Sequence, residues 1–361
     1  MQTAAAMDST WQTFLLSQNA QFDETGKIQT FGTPELERYL IKHGPVLTSL
    51  SHQALLKVSG DDAQAFLQGQ LTSDINQVSD TQAQMSAYCD PKGNVLAIFT
   101  VFKYQGDFYL SFDGSLSQSI QKRLQMFVMR SAVKIEDVAN QLIQIGFAGE
   151  FADIDVQRRL ESKVKTVFET ALSKDPSIAD VLIIKVPGPY HKYAIFGPAE
   201  QMQTVWTKLR VNCDVTNHND WQLLDIAAAV PNVTDKTSGQ FTAQFLNLDK
   251  FSAISFKKGC FPGQEIIARI HYRGKITKRM LRIRLQENLD LHAGDVLALT
   301  DSQGKIHKLD VINCRADIFN GCLCNAIGTL KSLDAVEGEL QSSEGQSAII
   351  EPLPYSILEE K

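Results

Sequence analysis

Cys260 stands inside Ile254-Ser255-Phe256-Lys257-Lys258-Gly259-Cys260-Phe261-Pro262-Gly263-Gln264-Glu265-Ile266-Ile267-Ala268-Arg269, the stretch around which the chain is organised. Two lysines precede the thiol, and Pro262 suits the first position of a helix because it needs no amide partner there. That places Cys260 just outside a helix N-terminus, beside two ammonium groups, and both features favour thiolate over thiol. Such a thiolate can attack an electrophile, form a mixed disulfide or lend a ligand to iron shared with a partner. Glu265 and Arg269 follow at i,i+4 in the favourable order, with Ile266 and Ile270 marking the buried side. The plain alternative is a small buried cysteine in a tight turn. The Lys-Lys-Gly and Pro-Gly flanks suit an exposed loop better.

Within this stretch Lys258-Gly259-Cys260-Phe261-Pro262-Gly263-Gln264-Glu265 resembles the signature of the folate-binding YgfZ-type proteins, relatives of the glycine-cleavage aminomethyltransferases (T-proteins). Ser238-Gly239-Gln240-Phe241, Arg273-Gly274 and the tail Glu351-Pro352-Leu353-Pro354-Tyr355-Ser356 also look like family segments. The resemblance runs from about Leu50 to the C-terminus and leaves the first 45 or so residues outside. It implies a T-protein-like three-domain ring: two ferredoxin-like α+β units and a C-terminal antiparallel β-barrel. The expected division is 1–47 as a helical extension, 48–140 with 215–275 as a discontinuous folate-binding domain, 141–214 as a second ferredoxin-like domain, and 278–361 as the barrel. It also implies tetrahydrofolate as ligand and a role in maintaining iron–sulfur enzymes, including those that modify tRNA.

Several positions depart from the family pattern. Where T-proteins carry Asp-Asp after the hairpin glycines, this chain has Ala97-Ile98, and neither side chain can hold a proton. Trp221 is similar to a tryptophan lining the folate cavity, and its flat face suits a pterin or aminobenzoyl ring. A second cavity tryptophan is replaced by Gln53. The glutamate expected to bind the pterin is Ala227, with Asp225 the nearest substitute. Gln240 completes the folate candidates. A classical aminomethyltransferase is therefore disfavoured.

The formal net charge of -6 and pI near 5.7 argue against a general nucleic-acid-binding surface. No apolar run approaches the ~20 residues of a membrane span. The opening Met1-Gln2-Thr3-Ala4 lacks a signal pattern, so the cytoplasm is expected. The six cysteines are scattered without a Cys-x-x-Cys pair, which indicates neither a disulfide framework nor a zinc site. Cys260 alone has a suitable setting for iron, so no stable metal or cluster is expected in the isolated chain.

The elements that must carry these residues read as follows. Two short N-terminal helices start near Ser9 or Thr10 and at Thr33-Pro34. Two rounds of strand-helix-strand-strand-helix-strand follow from Leu50, the second with helical material from Glu150 to about Leu172. A helix from Asp220 to about Ala229 precedes an aperiodic segment, Pro231–Asp249, of a length that is usually functional or disordered. Beyond Lys278 come strands at Leu281–Leu285, Val296–Thr300, Ile306–Cys314, Gly321–Leu330 and Ser347–Ile350. Between Lys257 and Arg284 nine Lys or Arg face one acid, Glu265. Arg273, Lys275, Lys278, Arg279, Arg282 and Arg284 either meet a polyanion, such as the folate glutamate tail or an RNA backbone, or pair with acids elsewhere in the fold. Three functions remain open: a folate-binding accessory protein with Cys260 as reactive centre, a folate-dependent one-carbon transferase, and a direct RNA binder.

Overall fold

The structure is a computed structural model that describes residues 7–317, 321–330, 340–343 and 345–357. The N-terminal region holds α1 (Ser9–Ser17), β1 (Gln21–Phe22), β2 (Ile28–Thr30), α2 (Pro34–His43) and β3 (Val46–Ser49). Next come β4 (Gln53–Ser59), α3 (Ala63–Gln70), β5 (Gln84–Cys89), β6 (Val95–Tyr104), β7 (Asp107–Asp113), α4 (Ser117–Val128) and β8 (Lys134–Asp137). A second round follows with β9 (Ile143–Gly149), α5 (Ala152–Arg159), β10 (Thr170–Leu172), β11 (Leu182–Lys185), β12 (His191–Gly197), α6 (Ala199–Arg210) and β13 (Asp214–Val215). The chain continues through α7 (His218–Ala227), α8 (Gln264–Arg273), β14 (Lys278–Leu285), β15 (Val296–Thr300), β16 (Ile306–Ala316), β17 (Cys322–Thr329), β18 (Leu340–Ser342) and β19 (Ser347–Glu351).

The chain divides into two compact units. One comprises residues up to Phe66 with Ile75–Gln84 and Phe99–Leu224; the other comprises Leu67–Asp74, Met85–Ile98 and Asp225 onward. In the first unit the sheet order β10-β11-β12-β9-β3-β13 is that of a ferredoxin-like motif, built from β9, β11, β12 and β13, with an extra strand inserted. That inserted strand is β3, antiparallel to β9 and parallel to β13. The N-terminal segment thus contributes strands as well as the two expected helices. Asp8, one residue before the expected start, caps α1 by accepting from the Trp11 amide at 2.8 Å. Trp11 then packs edge-on against Trp206 of α6, with ring centres 5.8 Å apart. On α6 the buried stripe is Met202, Val205, Trp206 and Leu209, the spacing of one helical face.

The other sheet runs β5-β6-β7-β4-β8, the ferredoxin-like order of β6, β7, β4 and β8 with β5 added at an edge. The helix expected over 150–172 is shorter: α5 ends at Arg159, and Glu161 takes a left-handed φ of 48° that turns the chain out of the helix. The rest of that span is irregular before β10.

In the second unit β14-β17-β16-β15-β18-β19 close into a six-stranded barrel, which leaves no open edge. Its interior is lined by Leu281, Ile283, Leu297, Leu299, Leu309, Val311 and Ala326. The short strand β18 was not expected. Cysteine pairing corrects the sequence reading: Cys314 of β16 lies opposite Cys324 of β17, and the two form a disulfide. Antiparallel register, shifted by a bulge between Val311 and Asn313, creates this pairing, and spacing along the chain does not reveal it.

Candidate functional site

The Cys260 loop is built on close contact between two backbones. Pro262 is not the first helical residue; α8 begins at Gln264, with Gly263 as its N-cap at φ 81°. A Cβ on Gly263 would lie 2.6 Å from the Asp90 carbonyl oxygen and from Gly93 Cα. Gly93, at φ 80°, sits in the Asp90–Asn94 turn, where Asp90 Oδ1 accepts from the amides of Lys92 at 2.8 Å and Asn94 at 2.9 Å. Both glycines are therefore required for approach and for conformation. Ile267 is the fully buried residue of α8, while Ile266 and Ile270 are half-buried, a shift of one position from the expected stripe.

The lysines before the thiol have different fates. Lys257 is exposed, whereas Lys258 turns inward and its Nζ donates to the carbonyls of Leu71 at 2.7 Å and Ser73 at 2.8 Å. The same ammonium lies 5.4 Å from the ring centre of buried Phe261. Burial pushes the Lys258 pKa down to about 8, against an opposing pull from Asp74. Beside it, Thr72 accepts from the Ser255 amide through its carbonyl at 2.8 Å and donates its hydroxyl to the Ala253 carbonyl at 2.6 Å. These bonds hold the segment before the loop in place.

Cys260 is the one exposed cysteine among the described residues. Cys89 and Cys213 are buried, and burial raises both thiols, that of Cys213 to about 12. A Cβ on the neighbouring Gly259 would meet nothing within 4 Å, so the loop has open space beside the thiol. Glu265, Arg269 and Arg273 are exposed on α8, and Gln264 is half-buried.

The family-like segment at 238–241 pairs with the start of β6. The Gly239 amide donates to the Val95 carbonyl and the Val95 amide to the Phe241 carbonyl, both at 2.8 Å, and Ser238 Oγ donates to the Leu96 carbonyl at 2.8 Å. Gln240 is exposed, its side-chain amide donating to the Lys236 carbonyl at 2.6 Å. The aperiodic segment 231–249 is ordered by buried polar groups: Gln244 Nε2 donates to the Ile267 carbonyl at 2.7 Å, and Asn247 Nδ2 to the Met280 carbonyl at 2.8 Å. Trp221 belongs to the first unit and is buried, its ring against the Gly146 backbone and the Lys192 ammonium 4.8 Å from its ring centre. Asp225 is half-buried on the last turns of α7. The Ala227 carbonyl, at the position where the family has its glutamate, accepts from Arg282, and Tyr355 donates to the Ala229 carbonyl at 2.7 Å.

Most of the basic cluster pairs within the fold. Arg279 is buried and forks onto Asp249 at 2.5 and 2.9 Å. Arg282 meets Glu351 at 2.9 Å, Arg284 pairs with Glu351 and Asp317, and Lys278 lies 3.4 Å from Asp310. Arg273 and Lys275 remain exposed, with Lys257 and Arg269. An aromatic group beside them escaped the sequence reading: Phe256 stacks on His271 at 3.8 Å, with Tyr272 edge-on to both. A second cluster lies in the barrel, where the sulfurs of Cys314, Cys322 and Cys324 fall within 4.8 Å of one another. With two of them joined, only Cys322 keeps a thiol, too few ligands for zinc or a cluster.

Among the described residues no helix is long and apolar enough to cross a membrane. Compared with known proteins, the chain is 28% identical over 311 residues to a tRNA-modifying protein YgfZ of Klebsiella pneumoniae (strain 342), covering 86% of this chain and 93% of that one. A tRNA-modifying protein YgfZ of Colwellia psychrerythraea (strain 34H) is 26% identical over 324 residues, covering 87% and 94%. The crystal structure of the glycine cleavage system aminomethyltransferase T from Bartonella henselae superposes with a TM-score of 0.77 at 16% identity, covering 97% of this chain and 98% of that one. That likeness establishes the T-protein-like fold. The GCVT N-terminal domain family matches residues 18–212, more than half the chain, and so takes in most of the N-terminal segment expected to lie outside the resemblance. With this match, the barrel and the YgfZ-type relatives in agreement, the chain belongs to the GCVT N-terminal domain family.

Proposed function

We propose that this protein is a folate-binding accessory protein that supports iron–sulfur enzymes and thereby tRNA modification, with Cys260 as its reactive thiol. The observation that carries the reading is the contrast among cysteines: Cys260 is held exposed by a glycine-locked loop, while the other five are buried. The open space beside Gly259 supports approach of another molecule to that sulfur. The names of the YgfZ relatives support a connection with tRNA modification. The expected setting is the cytoplasm, and the partners are client iron–sulfur or tRNA-modifying enzymes.

Trp221 and Asp225, four apart on α7 and so on one face of that helix, are the residues that would hold the folate, with Gln240 a further candidate. A reduced folate would supply a one-carbon carrier or an electron-rich ring. Ala227 and Gln53 remove two further contacts, so affinity on the order of micromolar to millimolar is expected. Aminomethyl transfer is disfavoured because neither Ala97 nor Ile98 has an ionisable group that could exchange a proton with substrate.

The test is a tetrahydrofolate titration followed by tryptophan fluorescence, run beside a Cys260→Ser complementation assay. Quenching that disappears in Trp221→Phe supports the reading. Unchanged quenching in that variant removes Trp221 from the site, and full complementation by Cys260→Ser removes the thiol from the function.

A further inference from the structure

Phe256, His271 and Tyr272 form an aromatic group on the outside of the protein. Phe256 and His271 stack nearly parallel, 11° apart, and Tyr272 stands edge-on to both rings. Tyr272 is 65% exposed, His271 is exposed and Phe256 is half-buried, so ring surface faces solvent. Contiguous exposed apolar surface marks interaction sites. The second observation is charge. Lys257, Arg269, Arg273 and Lys275 are all exposed, and the same stretch carries a single acid, Glu265, in a chain of net charge -6. Arg269 lies three residues before Tyr272 and four before Arg273, on one face of α8. The other cations of the cluster are held in internal pairs, and Lys258 points inward. The cations left over flank the aromatic residues along the chain.

We propose that this face of α8 docks a single-stranded RNA loop, its unpaired bases stacking on Phe256, His271 and Tyr272 and its phosphates meeting Lys257, Arg269 and Arg273. Flat ring faces interleaved with cations match the two repeating parts of a single strand, the base and the phosphate. The rings are already stacked on one another, so little side-chain freedom is lost when a base adds to the pile. A duplex hides its base faces and could use only the charges. The choice of RNA over DNA rests on the tRNA-modification reading above; the preference for a single strand rests on the rings alone.

The test uses the full chain and a fluorescein-labelled RNA hairpin with a loop of about seven unpaired nucleotides, compared with a blunt RNA duplex of equal charge. The expected result is tighter binding of the hairpin, with a log–log salt slope of about -2 from three phosphate contacts. Tyr272→Ala and Phe256→Ala should each weaken hairpin binding about tenfold and leave duplex binding unchanged. Arg269→Ser with Arg273→Ser should reduce the slope by about 1.4, whereas Lys305→Ser with Lys308→Ser should leave it unchanged. Thermal midpoints measured in parallel confirm that exposed Tyr272 is not needed for folding. Equal affinity for hairpin and duplex, or Tyr272→Ala binding as well as the parent, overturns the proposal. Tighter binding of the same hairpin made as DNA overturns the choice of RNA. Tetrahydrofolate titration of the same preparations keeps the two readings apart: lost RNA binding with intact folate binding counts only against this one.

Discussion

The sharpest consequence of the site geometry is selective alkylation at Cys260. In Cys213 the sulfur is buried and donates to the Leu209 carbonyl at 3.2 Å, and its pKa is pushed up to about 12. At pH 7.5 such a thiol is ionised in roughly one molecule in 30,000, against about one in ten for an ordinary accessible thiol near 8.5. The ratio of thiolate is therefore on the order of 3,000. A more basic thiolate is a better nucleophile, and a Brønsted coefficient of about 0.45 over some 3.5 pH units returns a factor of roughly 40. Ionisation alone then leaves an advantage on the order of 100-fold over Cys213, before steric protection of the buried sulfur is counted. Cys89, raised further by burial, should be slower still. The assay is timed iodoacetamide labelling of the folded protein, quenched and read by peptide mass spectrometry. Cys260 should saturate before Cys89 or Cys213 shows measurable label. Rates within tenfold of one another, or labelling of Cys260 only after unfolding, would refute the argument and make Cys260 a structural residue.

Four further outcomes follow from the same contacts. Gly263→Ala forces a left-handed φ on a residue with a Cβ and drives that Cβ into the Asp90–Gly93 backbone, so a loss of about 2–3 kcal/mol is expected from denaturant midpoints. Arg279→Leu leaves Asp249 without its forked partner and should cost about 3–5 kcal/mol, whereas Lys278→Ala, at a more exposed pair, should cost at most about 1 kcal/mol. Lys258 should titrate near 8 in a carbon-13 methyl NMR series. Since the unfolded chain holds that proton more tightly, stability should rise between about pH 8 and pH 10.5, and Lys258→Met should flatten the rise. Thiol counting in denaturant without reductant should find four free cysteines, and six would refute the Cys314–Cys324 disulfide.

What could be read from the chain follows from the range of the forces involved. Val296–Thr300 was expected with the bounds it has in β15, because alternation along a strand is local. Within the site, the exposed loop around the thiol was visible from residue type. The role of Pro262 was misplaced because Gly263 contacts Gly93, a residue 170 positions away in the chain. The partners of the basic cluster were equally hidden: Asp249, Asp310, Asp317 and Glu351 meet their arginines and lysine only through the barrel and the segment before it. The aromatic pair Phe256 and His271 escaped notice because fourteen residues of loop and helix separate rings that end up stacked.

The insertion of β3 between β9 and β13 bears on how the chain is made. A strand drawn from residues 46–49 sits one place in from the edge of a sheet whose remaining strands are encoded between 143 and 215. During synthesis β3 leaves the ribosome about a hundred residues ahead of its first neighbour, and β13 cannot complete the sheet until β3 has been captured by β9. The early segment must wait unpaired for its place. A chain trimmed before Val46 would lose its first helices but keep β3, whereas one trimmed after Ser49 would also expose the long flank of β9, every residue of which is buried in the finished fold. The N-terminal region is therefore a keystone laid first and locked last, and its loss should be felt as aggregation of nascent protein before it is felt in any activity.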